Sequence, residues 1–200
     1  MNDINPKHPV ITKNIIIGGV PRSGKSILAR KISADLGYSH YPIDSWVSSF
    51  NTVFPGLGIT HYEEEHQAVS KRLWPFLSSL IKHLAYENLS YVLEGFHIRP
   101  ADVHRHLDSS RWQILFMGYP AVKVDDMVRR IRGFARVQDW TEELDDRALS
   151  ALIARYIKES QSIQDDCKKF GLRFVDTSFD FYSTLDRLNQ DLSQAVRMRE

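Results

Sequence analysis

Eight residues, Gly19-Val20-Pro21-Arg22-Ser23-Gly24-Lys25-Ser26, have the types and spacing to hold a polyphosphate. They read G-x-x-x-x-G-K-S. Glycines let the backbone curl until successive N–H groups point into one concavity. Lys25 can reach the β- and γ-phosphates of a nucleotide, and the Ser26 hydroxyl can ligate Mg²⁺. A helix starting near Lys25 brings its positive dipole end to the same place, with the amides running on to Ile27. The competing reading, a glycine turn with a chance lysine, is weakened by the flanks. Asn14-Ile15-Ile16-Ile17 is β-branched as a buried strand would be, and Ile27 to Leu36 is apolar at helical spacing up to Gly37.

Three acids stand where further strands are expected to end: Asp44, Glu94 and Asp176. Ligands of open parallel sheets bind beyond the carboxyl ends of the strands, so these acids are expected to surround the phosphate. Glu94 is the candidate for the metal side; the bland alternative is a solvated acid closing a strand. Asp44 faces the acceptor as base or anchor, or else caps a helix beginning at Ser45. Asp176, followed by Thr177-Ser178, caps the last helix or shapes the base pocket.

Arg129, Arg132 and Arg136 are spaced three and then four apart, on one face if the segment is helical. Arginines closing over a transferring phosphoryl group neutralise its charge. Arg129 is assigned to the nucleotide, and Arg132 and Arg136 to the transferring group; the alternative is a solvated face paired with Asp125, Asp126 or Glu142. Gly133 interrupts the segment and would suit a hinge. Arg99 could hold an anionic acceptor, or Arg99-Pro100 could be a fixed turn. His97, His104 and His106 lack a partner cluster with metal-ligand spacing and are read as surface or second-layer histidines.

These groups need a scaffold, and the chain supplies alternating signals. Strands are expected at Asn14–Ile17, Tyr38–Asp44, Ser90–Gly95, Arg111–Gly118 and Leu172–Asp176. Helices are expected after the loop, from Tyr62 to Tyr86 with a kink or break at Pro75, from Ala121 to Gln138, from Thr141 to Phe170 as one long helix or two, and from Phe181 onward. Residues 45–60 are read as a flexible loop or cap, and residues 1–11 as a loose arm. The alternation implies one α/β domain spanning residues 1–200, a largely parallel sheet with helices on both faces. The acceptor region falls at about 45–75 and a short lid at about 125–140.

Composition removes several classes of function. With 26 Lys+Arg against 25 Asp+Glu the net charge is near zero, which argues against a general binder of nucleic acid or membrane surfaces. A single cysteine, Cys167, excludes an intramolecular disulfide and reads as inert packing. No apolar run suits a membrane span and no signal-peptide core is visible, so a cytoplasmic monomer or homodimer is expected.

Gly19 to Ser26, Asp44, Glu94-Gly95-Phe96 and the arginines from Arg129 to Arg136 together resemble the small P-loop kinases, adenylate-kinase-like and shikimate- or gluconate-kinase-like. Leu93 to Pro100 resembles the E-G-x-H-x-x-P segment of 2-phosphoglycerate-kinase-like proteins. The resemblance implies a five-stranded P-loop NTPase sheet in the order 2-3-1-4-5, ATP as donor, Mg²⁺, and a lid. It departs from adenylate kinases in having Glu94 for their acid and one extra residue before Arg99. The lid is also too short for theirs, which favours a small metabolite over a nucleoside monophosphate. The implied activity is γ-phosphoryl transfer, with Lys25, Asp44, Arg132 and Arg136 as catalytic candidates and Asp44, Arg99, Trp46 and Phe50 around the acceptor. A nucleoside monophosphate kinase and a non-catalytic nucleotide switch are the alternatives.

Overall fold

The computed structural model describes residues 14–61, 66–87, 89–108, 111–134 and 139–197. Five parallel strands form one sheet: β1 (Ile15–Gly19), β2 (Ser39–Pro42), β3 (Tyr91–Gly95), β4 (Gln113–Gly118) and β5 (Arg173–Asp176), in the order β2-β3-β1-β4-β5. This is the expected order.

The sheet is covered on both faces, and the period-two alternation of its strands sorts the core. Ile15, Ile17, Val92, Leu115 and Met117 face α1 (Lys25–Leu36) and α7 (Phe181–Arg197) through Leu28, Ile32, Leu185 and Leu188. Ile16, Leu93 and Phe116 face the opposite layer. That layer is built by α2 (Ile43–Val53), α3 (His66–Tyr86), α4 (Pro100–His106), α5 (Val124–Phe134) and α6 (Asp146–Phe170). The second strand is shorter than expected. It ends at Pro42, which also takes the N-cap position of α2, so Asp44 lies in the first turn of that helix and not at a strand end.

Residues 45–60 are therefore not a flexible loop. Ile43, Trp46, Val47 and Phe50 follow the i, i+3, i+4, i+7 pattern of one helix face, and Asp44 places negative charge at the positive helix end. A short 3₁₀ turn, Pro55–Leu57, follows. Pro75 neither breaks nor ends α3. Proline strands the carbonyl four residues back, here that of Lys71, and both residues sit on the exposed face where water can reach. Gly133 does not interrupt α5, which runs through it to Phe134. Thr141 starts no long helix; Trp140–Glu143 is a 3₁₀ turn and α6 begins at Asp146, capped by the Asp145 carboxylate on Ala148 N. The N-terminal arm, the start of the Tyr62 helix, and Arg136 lie outside the described residues.

What positions the candidate site is the way the central strand leaves the sheet. Gly19 has φ +128, and a Cβ there would lie 1.9 Å from the carbonyl oxygen of Met117 in β4. At Gly18 a Cβ would lie 2.4 Å from the Phe116 ring. Side chains are excluded from both places. Gly19→Ala is therefore expected to cost at least about 3 kcal/mol of unfolding free energy. Chemical denaturation checks this, and an unchanged midpoint would refute the close approach.

Candidate active site

The loop after β1 is built around one carbonyl. Val20 O accepts from Lys25 Nζ at 2.9 Å and from Ser23 Oγ at 2.8 Å, while Val20 N donates to Met117 O at 3.1 Å. Arg22 and Gly24 adopt positive φ, 65 and 97, which turns the main chain into a curl. Tyr119, the residue after β4, braces it by donating its Oη hydrogen to Pro21 O at 2.9 Å. Helix α1 opens at Lys25 with no side-chain cap and no acid in its first turn. Its amides are left for an anion.

Lys25 is almost completely buried. Burial pushes its ammonium pKa down, against the opposing pull of Asp44 and Glu94. Glu94 is buried too, and burial alone would raise its carboxyl. Hydrogen bonds from His40 and Ser26 and the charge of Lys25 outweigh that and hold it below its ordinary value. Ser26 and Glu94, which the sequence reading pairs as the metal side, thus act on each other. Glu94 Oε2 is buried without a hydrogen-bond partner, an acceptor oxygen left over. A hard cation taking oxygen ligands fits that donor set.

Asp44 is not the N-cap considered for it. Its Oδ1 accepts from Phe96 N at 2.9 Å, joining α2 to the end of β3. Gly95 permits this contact, since a Cβ there would come within 2.9 Å of Ile43 Cβ and 3.1 Å of Asp44 Oδ1. Burial raises the Asp44 carboxyl pKa; Lys25 and the Phe96 amide oppose it. Asp176 accepts from Ser178 N at 2.8 Å, a turn ahead of α7 and not a cap on it. Thr177 N and Oγ1 both donate to Gly118 O, which ties this turn to β4.

The arginines divide differently from the sequence expectation. Arg129 is exposed and pairs with Asp126, the alternative partner considered for it. Arg132 is committed to structure: it donates to Thr141 O at 2.8 Å, Leu144 O at 2.6 Å and Asp146 Oδ1 at 2.9 Å. The arginine that links the loop to the segment after α5 is Arg22. It binds Asp139, donates to Thr141 Oγ1 at 3.1 Å and lies over the Trp140 ring. The Arg22 guanidinium holds Asp139 well below the usual carboxylate range. Arg22 was read only as a loop residue, because no sequence spacing couples it to a partner 117 positions away.

Arg99 is buried, N-caps α4 with its backbone, pairs through Nη2 with Glu159 of α6 and lies over the Phe96 ring. Arg99-Pro100 is the start of a helix and not a turn, with Arg99 extended and Pro100 the first helical residue, and Nη1 remains buried without a hydrogen-bond partner. His104 and His106 are on the surface, stacked on Phe170 and Trp74. His97 is not; it is fully buried, with ring centroids of His61 and His66 at 5.2 and 5.8 Å. Those two histidines, and His40 3.3 Å from Glu94 Oε1, had no sequence signal beyond lying near the acceptor region. Cys167 is buried in α6 with its thiol pushed up to about 12 by burial, as inert packing requires. Among the described residues no group of His, Cys, Asp or Glu is arranged to hold a metal by itself, and no helix is long and apolar enough to cross a membrane.

No protein-family model and no curated protein matches the chain. Solved structures do. Shikimate kinase from Bacteroides thetaiotaomicron matches with TM-score 0.54 at 14% identity, over 90% of this chain and 97% of that one. The fold is that of the P-loop kinases. Shikimate kinase from Acinetobacter baumannii, solved in complex with shikimate, also matches with TM-score 0.54 at 14% identity, over 94% and 95%. An uncharacterized protein from Eubacterium ventriosum gives 0.52 at 14% identity, over 92% and 99%. The P-loop kinase fold places Lys25, Glu94 and Asp44 at the carboxyl end of the sheet, where such folds bind ligands.

Burial, reinforced by His61, His66, Arg99 and Lys25, takes the His97 imidazole down to about 3. The folded value lies below the unfolded value near 6.5, so below pH 6.5 the unfolded chain gains a proton that the folded one refuses. Stability should then fall with pH from about 6.5 toward 3. His66, also lowered, acts in the same direction, and Asp44, which is raised, acts in the opposite one. Comparison with His97→Gln isolates the His97 part: between pH 7 and 5.5 the wild type should lose about 1 kcal/mol relative to the variant. Urea denaturation at several pH values measures this, and a pH-independent difference would contradict a neutral buried ring.

Proposed function

We propose that the chain is an ATP- and Mg²⁺-dependent kinase that transfers the γ-phosphoryl group to a small metabolite. One observation carries the reading. The loop lysine, the Ser26–Glu94 pair and Asp44 lie close enough to act on one another, which sets a donor site and an acceptor carboxylate around Lys25.

In this reading the amides from Gly19 to Ile27 and Lys25 hold the phosphates. Lys25, displaced from Val20 O, exchanges a carbonyl for a phosphate oxygen. Ser26 and Glu94 would hold a Mg²⁺, which would supply neutralisation of phosphate charge. Asp44 accepts the proton of an acceptor hydroxyl as its oxygen bonds the γ-phosphorus and the β–γ bridge breaks to release ADP. A carboxyl with a raised pKa is a better proton acceptor than an ordinary one. Arg22, once free of Asp139, can turn to the transferring group. Arg132 shapes the strap that holds Asp139. Arg99, Trp46 and Phe50 border the acceptor. The protein acts in the cytoplasm and without nucleic acid.

Lys25→Ala should abolish thermal stabilisation by ATP·Mg²⁺; an undiminished shift would remove the loop from the proposal. Asp44→Asn should leave ATP affinity intact and lower kcat by roughly 10²-fold or more, read as ADP release once a metabolite panel has identified the acceptor. Full activity in that variant would confine Asp44 to holding Phe96. Slow ATP hydrolysis indifferent to every added metabolite would mark a nucleotide switch instead.

A further inference from the structure

His97 is fully buried, yet neither ring nitrogen has a hydrogen-bond partner. Arg99 Nη1 and His66 Nδ1 are in the same condition. Such groups are costly to bury unpaired, and clustered ones mark a place where something polar is missing. The cluster is compact. The ring centroids of His61 and His66 lie 5.2 and 5.8 Å from that of His97, His66 meets the Phe96 ring at 4.5 Å, and Arg99 also lies over that ring.

The cluster adjoins the proposed acceptor carboxylate. The residue before His97 donates its amide to Asp44 Oδ1, and His61 Nε2 lies 2.8 Å from Asp44 O. His61 is therefore fastened to the same helix turn as Asp44, with its ring against that of His97.

From these unpaired groups we infer that His97, His66 and Arg99 form the recognition pocket for an anionic acceptor, a small hydroxylated metabolite bearing a carboxylate or a phosphate. This rests on the reading of the cleft as a kinase acceptor site and names its substrate class. Arg99 Nη1 can only donate, which calls for an acceptor oxygen. A neutral His97 donates from one nitrogen and accepts at the other, which suits an anion oxygen next to a hydroxyl. Of the groups that act on the His97 ring, only Arg99 and Lys25 (α1) are standing cations. Glu159 of α6 pairs with Arg99 through Nη2 and leaves Nη1 for an acceptor oxygen, which an anion supplies best.

The test uses imidazole nitrogen NMR on ¹⁵N-labelled full-length protein loaded with Mg²⁺ and a non-hydrolysable imido analogue of ATP. Glycerate, glycerol 3-phosphate and uncharged glycerol are titrated separately, and the His97 signals are assigned by their loss in His97→Gln. Saturable shifts of His97 and His66 with glycerate identify a carboxylate acceptor, and with glycerol 3-phosphate a phosphorylated one. Either supports the pocket, provided that glycerol has no such effect and that His97→Gln weakens anion binding by about tenfold or more. His97 signals that ignore both anions, or answer glycerol equally, overturn it and leave a structural histidine. The loop is judged separately by the analogue's own thermal stabilisation of the wild type. Stabilisation without anion shifts sinks the pocket alone, whereas anion shifts without stabilisation sink the nucleotide assignment alone.

Discussion

The architecture depends on one constraint: the central strand must turn out of the sheet while its backbone still touches the neighbouring strand. At Gly19 the main chain lies against that of Met117, with a φ that side chains resist. Only there can Val20 donate to Met117 O while its own carbonyl turns to collect Lys25 and Ser23. The lysine is held folded back on the loop by that carbonyl. Everything else around the cleft is arranged relative to this turn: Glu94 beside β1 on the adjacent strand, Asp44 above it on the next helix, and Tyr119 bracing it from just after β4.

Electrostatics in the cleft follow from burial with partial compensation. A buried ammonium and each of the two carboxyl groups hold one another charged, while Glu94 adds to the rise at Asp44. The balance is uneven, since Asp44 is pushed up and Glu94 down. The difference lies in hydrogen bonds: Glu94 has His40 and Ser26, whereas Asp44 leans on one backbone amide. Pairs of acids driven apart in this way are suited to different tasks, one as a permanent anion and one as a proton acceptor.

Much of this was readable from the chain, for physical reasons that can be named. The loop announces itself because glycine spacing and a following helix are local requirements. The sheet order followed from the resemblance those local motifs carry, and the structure has that order. The segment after β2 was misread because Pro55-Gly56-Leu57-Gly58 drew attention from the helical spacing of Ile43, Trp46, Val47 and Phe50. The role of Arg132 was misjudged because spacing shows which side chains share a face and says nothing about carbonyls nearby. The partners of Arg22 and the burial of His97 are tertiary facts, with no trace in neighbouring residues.

The bond between Arg22 and Asp139 has a consequence for how the cleft works. It spans from the nucleotide loop to the strap that Arg132 and Thr141 shape, and Trp140 sits on the same guanidinium. A ligand on the loop that drew Arg22 away would have to break that bond and loosen the strap with it. By reciprocity, whatever lifted the strap would strengthen such a ligand's grip by the same factor. Affinity at the loop would then be adjustable from a carboxylate that never touches the ligand.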